Sequence, residues 1–265
     1  MSGGLDVLEI GSGPPVVFVH GSVLGAQATW RRQLELAERW TLRLPNRPGF
    51  AASPPLARGD FELEAPLIAE VLGDGAHLVG HSYGAVIAIC AAALRPGAVR
   101  SLTVSEPGCL RVAEGSPAVD RQLEGGRLLY ARASQLEPRE FLVAFRGGAG
   151  VSRETPERLS GELLAGARLL MRERPPWEAS PPWAQLRAAP FPKLVLSGGH
   201  SDVFEQVCDA VARELAGERD TIPGRGHTIP ATGRPYNERL ERFLCEREDA
   251  DAGAAAGEPA ERPIA

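Results

Sequence analysis

Hydrophobic and polar positions in the first half of the chain alternate between two patterns. Short apolar runs end in turn residues, as in Val16 to His20 and Ala76 to Val79, and they have the length of buried strands. Between such runs, Phe61 to Leu72 carries apolar residues at helical spacing. Strands that alternate with helices are typical of a parallel sheet covered on both faces. The sequence therefore predicts an α/β fold with a mostly parallel central sheet.

The same alternation defines all the elements of a predicted core domain, residues 1–107 and 191–245. The predicted strands are Val7 to Ile10, Val16 to His20, Thr41 to Pro45, Ala76 to Val79, Val99 to Ser105, Lys193 to Ser197 and Arg219 to Ile222. The predicted helices are Thr29 to Arg39, Phe61 to Leu72, Ala85 to Leu94, Val203 to Leu215 and Pro235 to Cys245.

Residues 108–190 interrupt this core with a different composition, rich in Arg, Glu, Gly and Pro. Helical patterns at Gln122 to Ala133 and Glu157 to Met171 predict a helical insertion over the edge of the sheet. Residues 246–265 are mostly Ala, Gly, Glu and Asp, with no large apolar side chain before Ile264. Such a segment buries too little surface to offset its ordering entropy, so we expect a disordered tail.

Composition narrows the range of partners. The 265 residues carry a formal net charge of −5, which gives no basic field for nucleic acid or an anionic membrane. No apolar run approaches the roughly 20 residues of a membrane span, and the N-terminus lacks the features of a signal peptide, so a cytoplasmic location is expected. The four cysteines are scattered, which indicates neither a disulfide framework nor a zinc site.

A candidate nucleophile lies where a predicted strand meets a predicted helix. Gly80-His81-Ser82-Tyr83-Gly84 follows the strand Ala76 to Val79 and precedes the helix Ala85 to Leu94. A serine in this strand, G-x-S-x-G, helix context is held in a strained turn with its hydroxyl projecting. The glycines allow the close backbone approach that the turn needs. Ser82 is therefore the predicted nucleophile.

A serine hydroxyl needs an imidazole to accept its proton. Of the five histidines, His227 lies in the glycine-containing loop Gly224-Arg225-Gly226-His227-Thr228 after the last predicted strand. Such a loop can bring the ring over the carboxyl edge of the sheet, where ligands bind in open α/β folds. His227 is therefore the predicted general base.

Two carboxylates compete to orient that imidazole, and both follow the carboxyl ends of predicted strands. Asp202 comes after the glycine-rich turn Ser197 to Ser201 and gives the chain order Ser, Asp, His that is expected with this type of elbow. We therefore predict Asp202 as the orienting acid and keep Glu106 as the alternative. Capping of the following helix is the structural alternative for Asp202.

Acyl transfer also requires hydrogen-bond donors for the developing oxyanion. The backbone N–H of Tyr83, directly after the nucleophile, is the first predicted donor. The second should follow an earlier strand, and the strand Val16 to His20 ends in His20-Gly21. We predict the N–H of Ser22 as that donor, with Val23 as the neighbouring candidate.

Together these motifs resemble the α/β-hydrolase superfamily, specifically its compact capped members. The motifs that carry the resemblance, in chain order, are Phe18-Val19-His20-Gly21, Asn46-Arg47-Pro48-Gly49-Phe50 with Ser53, Gly80 to Ala85, Ser197 to Asp202, and Gly226-His227. The resemblance implies that the insertion is a cap shaping the substrate pocket, and that no metal or organic cofactor is needed. One departure is Asn46, where relatives often carry aspartate in a non-catalytic position.

The expected activity is hydrolysis of a small-molecule ester through an acyl-enzyme. The same three residues could instead cleave a carbon–carbon, lactone, thioester or peptide bond, or act as a cofactor-free perhydrolase or haloperoxidase. A ligand-binding protein without catalysis is the alternative from another class. The sequence does not distinguish a monomer from a dimer. Residues of the insertion expected to contribute to pocket walls or to core packing are Tyr130, Phe141, Phe145, Trp177 and Trp183.

Overall fold

A single seven-stranded sheet forms the centre of the molecule. The computed structural model describes residues 4–148 and 155–257. The strands are β1 (Val7–Ile10), β2 (Pro15–Val19), β3 (Thr41–Pro45), β4 (Ala76–His81), β5 (Val99–Ser105), β6 (Lys193–Ser197) and β7 (Glu218–Thr221). Their spatial order is β1-β3-β2-β4-β5-β6-β7, and every neighbouring pair except antiparallel β1 and β3 is parallel. The predicted mostly parallel sheet is confirmed.

Helices cover both faces of this sheet. They are α1 (Ala26–Trp30), α2 (Phe61–Val71), α3 (Tyr83–Leu94), α4 (Pro117–Ala131), α5 (Pro138–Gly148), α6 (Gly161–Leu170), α7 (Trp183–Ala188), α8 (Asp202–Leu215) and α9 (Arg234–Gly257). One hydrophobic cluster joins the sheet to α2, α3 and α8, and a second joins it to α1 and α9. Among the described residues, no helix combines the length and the apolar character needed to cross a bilayer.

Two predicted helices differ from those observed. The expected helix Thr29 to Arg39 is instead α1 followed by a short 3-10 helix, Leu34–Glu38. Between them, the buried amide of Gln33 donates hydrogen bonds to the Pro230 carbonyl and to Asn237, which anchors the break to the C-terminal part of the chain.

The last predicted helix was expected to end at Cys245, before a disordered tail. This boundary is wrong, because α9 continues to Gly257. The continuation makes polar contacts with the core, since Glu248 lies 3.1 Å from His77 and 3.2 Å from Arg100. Residues 258–265 of the predicted tail lie outside the described residues.

The segment between β5 and β6 is helical, as expected for residues 108–190. It contains the two anticipated helices, α4 and α6, and also α5 and α7, which the sequence pattern did not indicate. Leu110, Trp177 and Leu186 belong to the same hydrophobic cluster as the sheet and α3. The inserted helices therefore share a core with the sheet, and their status as a separate cap domain stays a prediction.

Backbone contacts at the start of α3 leave no room for side chains. A Cβ placed on Gly84 would lie 2.3 Å from the His20 carbonyl oxygen and 2.4 Å from that of Val19. A Cβ on Gly80 would lie 2.6 Å from the Ala85 Cα. The two glycines of the G-x-S-x-G motif are therefore required by close approach of α3 to β2 and of the turn to itself.

We predict opposite effects of alanine at two helical glycines. Gly84→Ala should lower the free energy of unfolding by about 3 kcal/mol or more, because the new Cβ collides with backbone that cannot move independently. Gly125→Ala in α4 should raise it by about 0.5 to 1 kcal/mol, since its Cβ meets nothing within 4 Å. Urea unfolding of both variants measures the difference. Equal stabilities would contradict the close-approach argument.

Candidate active site

Ser82 lies at the turn between β4 and α3 in a strained conformation. Its backbone has φ 56° and ψ −119°, a left-handed conformation that is uncommon outside glycine. Such a conformation costs of order 1–3 kcal/mol and persists only where the surrounding backbone imposes it. The half-buried side chain projects from the carboxyl end of the sheet, as the sequence predicted for a nucleophile.

His227 contacts the serine from the loop between β7 and α9. Its Nε2 lies 2.9 Å from Ser82 Oγ, and its Nδ1 lies 2.5 Å from Glu106 Oε2. The carboxylate accepts, so the Nδ1–H donates to Glu106 and Nε2 is left to accept the serine proton. His81 Nε2–H donates to the His227 carbonyl at 2.7 Å, and the Phe204 ring stacks on the imidazole at 4.5 Å. The ring is thus held on several sides.

The carboxylate at His227 is Glu106 and not Asp202, which corrects the first choice made from the sequence. Asp202 is the first residue of α8 and its side chain is exposed. Phe204, two positions later and therefore on the opposite side of the helix, is the residue that faces the imidazole. At the N-terminus of α8 the Asp202 charge is suited to the helix dipole instead.

The Glu106 side chain is fixed by the glycine-rich turn that had suggested Asp202. Glu106 directly follows β5, has φ 42° and is fully buried. The backbone N–H of Gly198 donates to its Oε1 at 2.7 Å. A Cβ on Gly198 would lie 2.5 Å from the Gly226 carbonyl oxygen, so the turn needs glycine to pass between the carboxylate and the histidine loop. The glycines of this turn therefore indicate the hydrogen-bond donor to the acid, Gly198, and not the acid itself.

Burial shifts the pKa values of His227 and Glu106 in opposite directions. Desolvation lowers the pKa of His227 and raises the pKa of Glu106, while the hydrogen bond from Gly198 partly opposes the latter shift. His200 also approaches, with Nδ1 3.3 Å from Glu106 Oε1. In the part of the chain that the structure describes, no group of three or more His, Cys, Asp or Glu side chains could hold a metal ion.

The backbone after β2 runs next to the serine. A Cβ on Gly21 would lie 3.1 Å from Ser82 Cβ and 3.2 Å from the His81 carbonyl oxygen, a tight fit in which a neighbouring atom would have to shift. Ser22 and Val23 line the same small cavity as Ser82 and His227. The Tyr83 N–H belongs to the first turn of α3, where no intrahelical acceptor is available. The structure therefore brings the sequence-predicted donors and the nucleophile into one region.

An apolar cavity of about 220 Å³ opens beside Ser82 and His227. Three of the five predicted pocket residues line it, namely Tyr130, Phe145 and Trp177. The other two do not: Phe141 is buried in a cluster within the insertion, and Trp183 packs on the main core.

Besides Tyr130, α4 contributes Gln122, Gly125, Gly126 and Leu129 to this wall, and none of these four was among the predicted pocket residues. Gly126 leaves space for the Trp177 ring, since a Cβ there would lie 2.6 Å from it. A second cavity of about 90 Å³ lies on the side of Ser22 and Thr228, and Phe145 borders both spaces.

Curated relatives are similar in sequence to part of this chain. A pimeloyl-[acyl-carrier protein] methyl ester esterase from Chromobacterium violaceum is 34% identical over 167 residues, which is 62% of this chain and 66% of the relative. The enzyme of the same name from Methylococcus capsulatus is 33% identical over 190 residues, 66% of each chain. The matches thus span slightly less than two thirds of the relatives' length.

Solved structures and a family comparison agree on the fold. An alpha/beta hydrolase from Sphaerobacter thermophilus superimposes with a TM-score of 0.67 at 22% identity, covering 91% of this chain and 96% of its own. MenH from S. aureus gives a TM-score of 0.70 at 19% identity, covering 92% and 99%. The sequence model of the alpha/beta hydrolase family matches residues 16–241. The chain therefore belongs to the alpha/beta hydrolase family, as its motifs had indicated.

Proposed function

We propose that this protein is a serine esterase in which Ser82, His227 and Glu106 form the catalytic triad. The observation that carries the proposal is the pair of contacts made by His227, 2.9 Å to Ser82 Oγ and 2.5 Å to Glu106 Oε2. The same constellation of nucleophile, base and orienting acid recurs on unrelated folds and is recognised by its geometry. Glu106 takes the part that the sequence had assigned to Asp202.

The proposed reaction has two halves. Ser82 Oγ attacks the ester carbonyl carbon while its proton moves to His227 Nε2, and the imidazolium then gives that proton to the departing alcohol. Water next loses a proton to His227 and attacks the acyl carbonyl carbon. The imidazolium then returns that proton to Ser82 Oγ as the acyl–oxygen bond breaks, which releases the carboxylic acid and restores the Ser82 hydroxyl. Glu106 holds the Nδ1–H tautomer and stabilises the transient imidazolium.

The oxyanion of each tetrahedral intermediate is assigned to the N–H groups of Tyr83 and Ser22. The Tyr83 amide lies at the positive end of α3, which favours negative charge beside Ser82. The Ser22 amide follows Gly21, where an added Cβ would lie only 3.1 Å from Ser82 Cβ. Val23, with φ 78°, gives the loop its sharp turn immediately afterwards.

The two cavities beside Ser82 suggest which part of an ester each would hold. The larger apolar cavity suits the acyl chain, and the smaller one beside Ser22 suits a small alcohol. The curated relatives are named as esterases of an acyl methyl ester, which agrees with a chain on one side and a small alcohol on the other. We therefore propose small-alcohol esters of apolar acyl chains as the substrate class.

Substitution of the two competing acids tests the triad. Glu106→Gln should lower kcat by about 10³- to 10⁴-fold, because the amide no longer holds the right tautomer or stabilises the imidazolium. Asp202→Asn, the matched control, should stay within about twofold, because its side chain is exposed. Steady-state kinetics on an activated ester, with thermal unfolding as a check on folding, measures both. The reverse ranking would restore Asp202 as the acid.

Loss of Glu106 should also move the pH dependence. Activity requires a neutral His227 beside an ionised Glu106. The value of kcat/KM should therefore fall as the pH drops and these two groups together take up a proton. Without the carboxylate, the imidazolium loses its stabilising charge, so the acid limb of Glu106→Gln should shift to lower pH. Profiles from about pH 4 to about pH 9 compare the variant with the unchanged protein. A limb that stays in place would argue against a coupled pair.

Acyl-chain length tests the assignment of the larger cavity. Burial of each added methylene contributes about 0.8 kcal/mol of binding free energy. The value of kcat/KM for methyl esters should therefore rise about fourfold per carbon until the cavity is filled. Gly125→Leu, which adds a side chain to the cavity wall, should move the optimum to shorter chains and leave acetate esters unchanged. A flat dependence on chain length, with acetate preferred throughout, would contradict this assignment.

A further inference from the structure

Arg47 is a buried arginine that the proposed reaction does not use. Its guanidinium makes two hydrogen bonds to Glu64, at 2.7 and 3.0 Å, and one to Glu173 at 2.8 Å. A fourth, at 3.1 Å, goes to the carbonyl oxygen of Gly21. Arg47 is 1% exposed, as is Glu64, and Glu173 is 5% exposed. A network of charges this deep contributes little to stability on its own, because desolvation offsets the attraction.

The bond to the Gly21 carbonyl orients the neighbouring amide. In a planar trans peptide the C=O and the N–H point in opposite directions, so a fixed Gly21 carbonyl fixes the direction of the Ser22 N–H. His20 contributes to the same carbonyl, with its Nδ1 2.8 Å away. The backbone N–H of Arg47 donates to His20 Nε2 at 2.9 Å, which leaves the proton on Nδ1 for that bond.

Arg47 also contacts the residue that carries the other proposed oxyanion donor. The guanidinium carbon lies 4.2 Å from the centre of the Tyr83 ring, a stacking distance for arginine on an aromatic face. Tyr83 is 1% exposed, and its ring has little freedom to move away. One guanidinium therefore touches the peptide before Ser22 and the side chain of Tyr83.

Glu173 brings the inserted helices into this arrangement. It follows α6, and its Oε2 accepts a hydrogen bond from Ser22 Oγ at 2.5 Å while its Oε1 accepts from Arg47. Burial raises the pKa of Glu173, and the Arg47 charge opposes that shift. The carboxylate thus connects the segment over the site to the loop that bears a proposed oxyanion donor.

We propose that Arg47, held by Glu64 and Glu173, is a positioning residue that fixes both donors of the oxyanion hole. This inference rests on the proposed function of Ser82, Ser22 and Tyr83. Arg47 acts through the Gly21–Ser22 peptide and the Tyr83 ring and touches no substrate atom. Displacing a donor by even about 1 Å costs up to about 100-fold in rate, so its effect falls on the transition state.

Arg47→Lys tests this role, because lysine keeps the charge but cannot reach Glu64, Glu173 and Gly21 together. Arg174→Lys is the matched control: Arg174 also stacks on an aromatic ring, that of Phe61, and pairs with several carboxylates, but these contacts do not include Gly21 or Tyr83. Arg47→Lys should lower kcat about 10- to 100-fold with little change in KM, and Arg174→Lys should stay within about twofold.

A second readout is specific to the oxyanion. A trifluoromethyl ketone forms a tetrahedral adduct with the serine, whereas the corresponding methyl ketone binds without one. Arg47→Lys should weaken the first about 10- to 100-fold and leave the second unchanged. If both ketones weaken equally, or if kcat stays within about twofold of the unchanged protein, Arg47 has only a structural role and the inference is wrong.

Two further variants keep the outcomes separate. If Arg47→Lys fails to fold, the test uses Arg47→Met combined with Glu64→Gln and Glu173→Gln. This variant removes all three charges at once and so leaves no buried charge unpaired. It should show the same selective loss of trifluoromethyl ketone affinity. Ser82→Ala tests the proposed function itself. An active Ser82→Ala protein would overturn that function, whereas an inactive one beside a fully active Arg47→Lys protein would overturn only the inference about Arg47.

Discussion

The close approach of two segments, the end of β2 with the loop that follows it and the turn from β4 into α3, is the constraint on which the site depends. The end of β2 passes so near α3 that Gly84 has no room for a Cβ beside the His20 carbonyl. One residue further on, a Cβ on Gly21 would lie 3.1 Å from Ser82 Cβ, a less extreme but still tight approach. These contacts surround Ser82, whose φ is 56°, and place the loop that begins at Gly21 next to the nucleophile. The histidine loop and the inserted helices then assemble around a serine that is already fixed.

The identity of the acid follows from sheet order more than from chain order. β5 is the immediate neighbour of β4, whose end is directly followed by Ser82, and β6 lies one strand further out. Glu106, at the end of β5, is therefore nearer to the serine and its histidine than Asp202, which begins the helix after β6. The sequence identified both residues but not the order of the strands. It also could not show that Phe204 would occupy the face of α8 toward His227.

Much of the fold was predictable because it rests on local patterns. The strands were found within a few residues, since buried parallel strands form continuous apolar runs such as Lys193 to Ser197. Ser82 and His227 were predicted because glycines mark the sharp turns that hold them. The contact between them could only be expected, since 145 residues separate the two in sequence.

Features that depend on distant partners were missed. Arg47 carries no local sign of burial, because its partners Glu64 and Glu173 lie 17 and 126 residues away. The extension of α9 past Cys245 depends in part on contacts of Glu248 with His77 and Arg100. The cavity wall includes Gly126, whose need for glycine is visible only once the position of the Trp177 ring is known.

A crystal structure of the protein after reaction with a fluorophosphonate tests the central claim most directly. We expect phosphorus bonded to Ser82 Oγ, with one phosphoryl oxygen within about 3 Å of the Tyr83 and Ser22 N–H groups. We also expect the Glu106 carboxylate at His227 Nδ1 and Asp202 in solvent. An unmodified Ser82 in folded protein would contradict the role of Ser82 as the nucleophile, and Asp202 in contact with His227 would contradict the role of Glu106.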